Sequence, residues 1–338
     1  MPNYEKSEPR YSSKMPDETY NKKLQISSRH SANYVNLAYP YKKVEAIDWD
    51  DPEYAVTDDD TRWIMPNNFD LGASNWYQNL PTEEQIRIGK YRYAQVAKTG
   101  SEFEEALIAG IMLRNMRLPS DHGEVEYSTH EAHEEVQHIQ MFKNMVNRID
   151  SKPHGAPNWF RNFSLYVGHV ARHAPVAFWA IVLAGEEPID YTQRDLVKMG
   201  REGLNIHPML EKVMDWHIKE EAHHINFADR YQKQRIEKLT PLQKQLFAAT
   251  LPLILRVAAN AILKPSKQDQ KAMGIPDEVM KEVWWNSESG QKNLNGMFAN
   301  TARRADVLGL RNGDEKLGAP KNRLGQLAWR LAGLNPTK

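Results

Sequence analysis

No cysteine occurs in this 338-residue chain, which excludes disulfides, thiolate zinc sites, thiolate-held iron–sulfur clusters and a cysteine nucleophile. Any metal must be held by Glu, Asp and His. Net charge is missing too: 44 Lys and Arg balance 44 Asp and Glu, so nothing points to a nucleic-acid partner or to electrostatic membrane binding. Small-molecule chemistry fits better. Long hydrophobic runs are absent, since FWAIVLAG and LPLILRVAANAIL are too short or interrupted to span a bilayer. The N-terminus has no apolar signal-peptide core. A cytoplasmic protein with no stable membrane span is therefore expected. Also lacking are strand patterns, a Gly-rich phosphate loop and any Ser-His-Asp constellation. His133-Glu134 opens like a zinc-protease H-E-x-x-H, but position 137 is Gln.

The composition that remains, 41% apolar and 26% charged, is that of an ordinary globular protein. Residues 1–60 are polar and aperiodic and read as an irregular N-terminal arm. Residues 61–338 read as one helical domain, in which residues from about 265 onward alternate short helical stretches with Gly, Asn and Pro as a C-terminal cover. Apolar residues at three- and four-residue spacing predict helices over roughly 82–117, 124–150, 157–172, 175–200, 205–236 and 241–263. The boundaries agree, with Pro81 before Thr82, Pro119-Ser120-Asp121 as a break, and Thr240-Pro241 as a cap and first turn.

Two E-x-x-H pairs sit in these helices: Glu135 with His138, and Glu221 with His224. Residues three apart share a helix face, so each pair presents a carboxylate and an imidazole to one metal, and a doubled motif marks a carboxylate-bridged di-metal site. Such a site also needs a single Glu from each of two further helices. The stripe Trp179, Val182, Leu183, Glu186, Ile189 supplies Glu186, with Glu187 as competitor and Pro188 expected to kink or loosen the helix beside it. In the first long helix, the stripe Ser101, Glu105, Ile108, Ala109, Met112 supplies Glu105, with Glu102 and Glu104 read as solvated alternatives. His217, four before Glu221 and seven before His224, adds a third imidazole on the same face. His130, Glu134, Glu220 and His223 are left to the outside or to an outer shell. Four Glu and three His suit two iron ions, with manganese as a possible substitute, better than zinc.

With Glu105-Ala106-Leu107-Ile108-Ala109, Glu134-Glu135-Val136-Gln137-His138, Gly185-Glu186-Glu187-Pro188-Ile189-Asp190 and His217 through His224, the chain resembles the AurF-like p-aminobenzoate N-oxygenases over about residues 60–312. The additional histidine is the most specific part, and the tail Phe298 to Leu310 fits as well. Ala97 stands where the family has an aromatic residue, and Pro188 and Asp190 depart from its usual residues, so a different pocket is expected.

The resemblance implies an all-α, ferritin-like helical bundle. It also implies oxidation of a small aromatic amine to hydroxylamine, nitroso or nitro product by Fe2+/Fe3+ and O2, through a peroxo-diferric intermediate. An external electron donor and a homodimer come with it. Arg303 or Arg304 is the candidate holder of a substrate carboxylate. The competing readings are a di-iron hydroxylase or desaturase of an alkyl or acyl chain, a ferritin-like iron-oxidising protein, and a helical interaction protein without metal.

Overall fold

The computed structural model describes residues 18–20, 22, 23, 26 and 47–335, so most of the expected N-terminal arm lies outside the described residues. The described part is all-α, and its only β pairing is an isolated bridge between Asp314 and Ala319. Six long helices carry the architecture: α1 (Thr82–Asn115), α2 (Gly123–Ile149), α3 (Asn158–His173), α4 (Pro175–Arg201), α5 (Pro208–Ile236) and α6 (Pro241–Ile262).

Local chemistry sets their ends. Glu83 and Glu84 lie in the first turn of α1, where the helix dipole favours acids. Pro175, Pro208 and Pro241 open α4, α5 and α6, at a position where a missing N–H costs nothing. Thr240 and Gln243 form a reciprocal capping box at α6. Pro188 does not interrupt α4, although the sequence reading expects a kink there. Residues 182–189 are all buried, and packing of this kind overrides local propensity.

Helix α1 packs chiefly on α2 and α3, α4 on α5 and α6, and α2 on α5. The four helices α1, α2, α4 and α5 thereby enclose a common axis. Close approach of α1 to α4 depends on Gly185, where a Cβ would fall 2.0 Å from the Phe103 ring. One end of the bundle is plugged by aromatic rings: Tyr127 stacks on Phe227 at 4.2 Å, and Trp179 meets Phe227 edge-on at 4.8 Å. The opposite end, at Tyr93, Leu196 and Leu210, opens into a cavity.

The segment Pro241–Met273 is long and apolar enough to cross a membrane, but half of that window is buried inside the fold. It packs against α4 and the C-terminal helix Arg323–Leu331. After α6 come the short helices Lys267–Met273, Asp277–Lys281, Glu288–Met297 and Ala299–Val307. Gly309 closes the last of these at φ +68°, accepted without strain because glycine has no Cβ, and Leu310 N–H then bonds back to the Ala305 carbonyl at 2.8 Å. Trp285 takes φ +83° without that freedom. It is held by its Nε1 donating to Asn260 Oδ1 at 2.8 Å and by its carbonyl accepting from Gln291.

Candidate metal centre

At mid-bundle, seven donor side chains converge in three overlapping groups: Glu104, His138, His217 and Glu221; Glu135, Glu221 and His224; and Glu104, Glu135 and Glu186. All seven are buried. Helix α1 brings Glu104, α2 brings Glu135 and His138, α4 brings Glu186, and α5 brings His217, Glu221 and His224. Glu135 places Oε2 at 2.8 Å from His138 Nδ1 and Oε1 at 2.9 Å from His224 Nδ1. Glu221 likewise reaches both imidazoles, at 3.2 and 3.3 Å. Two carboxylates thus each span both histidines, the arrangement of a bridging pair.

Glu105 is not part of this set, which corrects the sequence reading. Its side chain is 50% exposed and pairs with Lys143 at 2.8 Å, whereas that of Glu104 is fully buried. The inward stripe of α1 runs Ala97, Gly100, Glu104, Leu107, Ile111, all buried, while Ala109 and Met112 of the expected stripe are exposed. Glu102, the other alternative, accepts from Ala156 N–H and from Arg161, both at 2.7 Å, and pins the loop before α3. Glu187, the competitor of Glu186, turns away and accepts from Thr301 at 2.5 Å and Arg304 at 3.0 Å.

The three histidines are used in two ways. His138 and His224 aim Nδ1 at the carboxylates, and their Nε2 atoms meet Glu220 and Glu134, each at 3.0 Å. The pairing is reciprocal, because Glu220 of α5 backs the histidine of α2 and Glu134 of α2 backs that of α5. His217 is reversed. Its Nδ1 meets Gln193 Oε1 at 2.8 Å and its Nε2 faces Glu104 and Glu221, each at 3.4 Å. With the Gln193 oxygen as acceptor, the proton sits on Nδ1 and the Nε2 lone pair is left for a metal.

Electrostatics also fit a cation. Several carboxylate oxygens, including both of Glu186 and both of Glu221, are buried without a well-aligned hydrogen bond. Burial raises Glu104 and Glu186, and repulsion from neighbouring carboxylates adds to it. Burial opposes ionisation of Glu135 and Glu221 as well, yet the facing imidazoles hold both low. Conversely, burial works against charge on His138 and His224, and their carboxylate neighbours outweigh it and hold both high. Burial takes His217 down to about 4, which keeps it neutral as a ligand must be. Protons and ion pairs here balance charge that divalent cations would balance better.

Glu131, one turn before Glu135 on α2, lies outside both E-x-x-H motifs. It is fully buried, both its oxygens lack a partner, and burial holds its carboxyl well above the ordinary range. Its register with Glu135 and His138, at four and seven residues, is the signal that marks it in the sequence. The outer-shell pair also has a signature: each motif is E-E-x-x-H, and the first Glu serves the histidine of the other motif.

Arg304 does not face this centre. It is buried among Glu187, Asp229 and Thr301. Arg303 is exposed on the same short helix, beside a surface recess lined by Asp306 and Arg311. Neither lines the cavity at the open end of the bundle.

Removing an outer-shell carboxylate should loosen the metal without unfolding the bundle. The Glu220→Ala and Glu134→Ala variants are each expected to hold iron about 10- to 100-fold more weakly, read as loss to a competing chelator. Retention curves superimposable on wild type would show these contacts to be incidental.

A four-helix cluster of facing glutamates and imidazoles, with one histidine beyond the doubled motif, is a donor set that could hold two metal ions in the manner of non-haem di-metal proteins. The chain belongs to the p-aminobenzoate N-oxygenase AurF family, which matches residues 17–309. It is 43% identical over 285 residues to an uncharacterized protein of Mycobacterium tuberculosis, covering 84% of this chain and 80% of the relative. A similarly uncharacterized protein of Mycobacterium bovis is 42% identical over the same share of each chain. No solved structure matches.

Proposed function

We propose that the protein is a di-iron, O2-dependent N-oxygenase of a small aromatic amine. The observation that carries this reading is the alignment of the seven-donor centre with the cavity at the open end of the bundle. Family membership supports it.

Val96 of α1, Gln193 and Leu196 of α4, and Leu210 and Met214 of α5 line the cavity, on the same helices that bring Glu104, Glu186 and His217. Its volume is about 150 Å³, room for a single aromatic ring. Gln193 both lines this space and holds His217, so the ligand set and the cavity share a wall. Glu104, Glu135, His138, Glu186, His217, Glu221 and His224 would hold a pair of ferrous ions, which would supply electrons for the reduction of dioxygen. The chain's own residues do the rest. Tyr93, Leu196 and Met214 exclude water, and Gln193 fixes the tautomer of His217.

Charge narrows the substrate. Among the described residues, Arg92 is the only Lys or Arg lining the cavity. Its guanidinium is committed to Asp70, at 3.0 and 2.6 Å, and to Gln95 and the Leu263 carbonyl. Asp195 and Glu282 add negative charge at the rim. A neutral or cationic aminoarene therefore suits the cavity better than an aminobenzoate.

The test is single turnover of reduced, iron-loaded protein mixed with oxygen and a panel of aminoarenes, with products read by mass spectrometry. An oxygenated amine, formed faster from neutral members than from carboxylates, is the expected result. Oxygen consumption with every arylamine returned unchanged would transfer the site to an alkyl or acyl substrate.

A further inference from the structure

Behind Trp284 and Trp285 lies a second space, unrelated to the metal ligands. The two indoles form a common wall: one side faces the substrate cavity, and the other faces an open groove of about 600 Å³. That groove is lined by Arg256, Lys264, Lys267 and Lys281, and among the described residues no Asp or Glu lines it. Four cationic side chains around one space repel one another. Arg256 shows the cost locally. Its Nη1 is buried without a hydrogen-bond partner, and its guanidinium lies over the Trp285 ring at 5.6 Å. Burial lowers both Arg256 and Lys264, and Arg256 depresses Lys264 further. An anion entering the groove relieves all of these at once.

The groove also has apolar, flat surface. Trp159 is 47% exposed at its edge and offers a flat indole surface to the groove. Asn260, whose Oδ1 is used by Trp285, keeps its amide NH2 as a donor at the same wall. A volume of this size is that of a small-molecule site. The cations converge on one space rather than spreading over a face, as an acidic protein surface would require.

We propose that this groove binds a nucleotide-class ligand, its phosphate among Arg256, Lys264, Lys267 and Lys281 and its flat ring against the Trp159 indole. The inference stands independently of the arylamine reading, because it uses neither the metal ligands nor the substrate cavity.

The test uses the full iron-loaded chain, titrated with AMP, adenosine and inorganic phosphate and followed by tryptophan fluorescence and calorimetry. AMP should bind at least about tenfold more tightly than adenosine or phosphate alone, since charge-assisted hydrogen bonds and stacking add only when both parts are present. Lys267 and Lys281 are exposed, so the Lys267→Gln/Lys281→Gln variant keeps its fold and should weaken AMP by at least about tenfold with an unchanged melting temperature. The Arg256→Gln variant should weaken it as well. The proposal is overturned if AMP fails to bind, if it binds no more tightly than adenosine or phosphate, or if the double lysine variant binds it as wild type does.

Discussion

Replacing Glu104 with Ala should remove at least one of two irons and abolish turnover, while replacing Glu105, its immediate neighbour, should change neither. Glu104 is fully buried and belongs to two of the three donor groups. Its Oε1 lies 3.4 Å from His217 Nε2, so its loss leaves that imidazole facing a gap. Glu105 is half exposed and bound to Lys143, and surface pairs of this kind contribute about 0–1 kcal/mol. Iron per chain, measured after reconstitution and desalting, separates the two variants. Full iron in the Glu104→Ala variant would remove Glu104 from the ligand set, and iron loss in the Glu105→Ala variant would restore the alternative register of α1.

The second large effect concerns stability and is expected at Arg304. This side chain ties the C-terminal segment to the bundle through Glu187 of α4 at 3.0 Å and Asp229 of α5, and both carboxylates are themselves largely buried. Truncating one partner of a buried pair strands the others, at a cost of about 3–5 kcal/mol. The Arg304→Met variant should therefore melt well below wild type in a thermal scan, and Arg303→Ala should stay within about 0.5 kcal/mol of it. A substrate-binding arginine would behave differently, raising KM while leaving the melting temperature alone. That outcome for Arg304 would favour the substrate role expected from the sequence.

These two cases also show what was legible in the sequence. Helix ends were, because caps and prolines act over one turn: Thr240-Pro241 and Pro175 mark their helices within a residue of where the structure begins them. The two E-x-x-H motifs were legible because ligands three residues apart need no tertiary information. A single Glu has no such internal check. Glu104 and Glu105 differ by one step around α1, and Ser101, Ile108 and Met112 made the wrong face look apolar enough. Leu107 and Ile111 below Glu104 were the better stripe. Arg304 was illegible for another reason, since a buried strut and a substrate clamp carry the same side chain, and only the partners from α4 and α5 distinguish them. Pro188 leaves α4 unbroken from Pro175 to Arg201, since the burial around it comes from other helices.

Charge balance at the centre has a consequence for how the protein acquires its metal. Facing carboxylates favour the charged imidazoles of His138 and His224, and burial favours neutral carboxyls at Glu104 and Glu186. Metal ligands must be deprotonated, so a divalent cation binding among these groups is expected to release protons. Metal and acid then compete for the same seven side chains, and affinity for the cation should rise with pH.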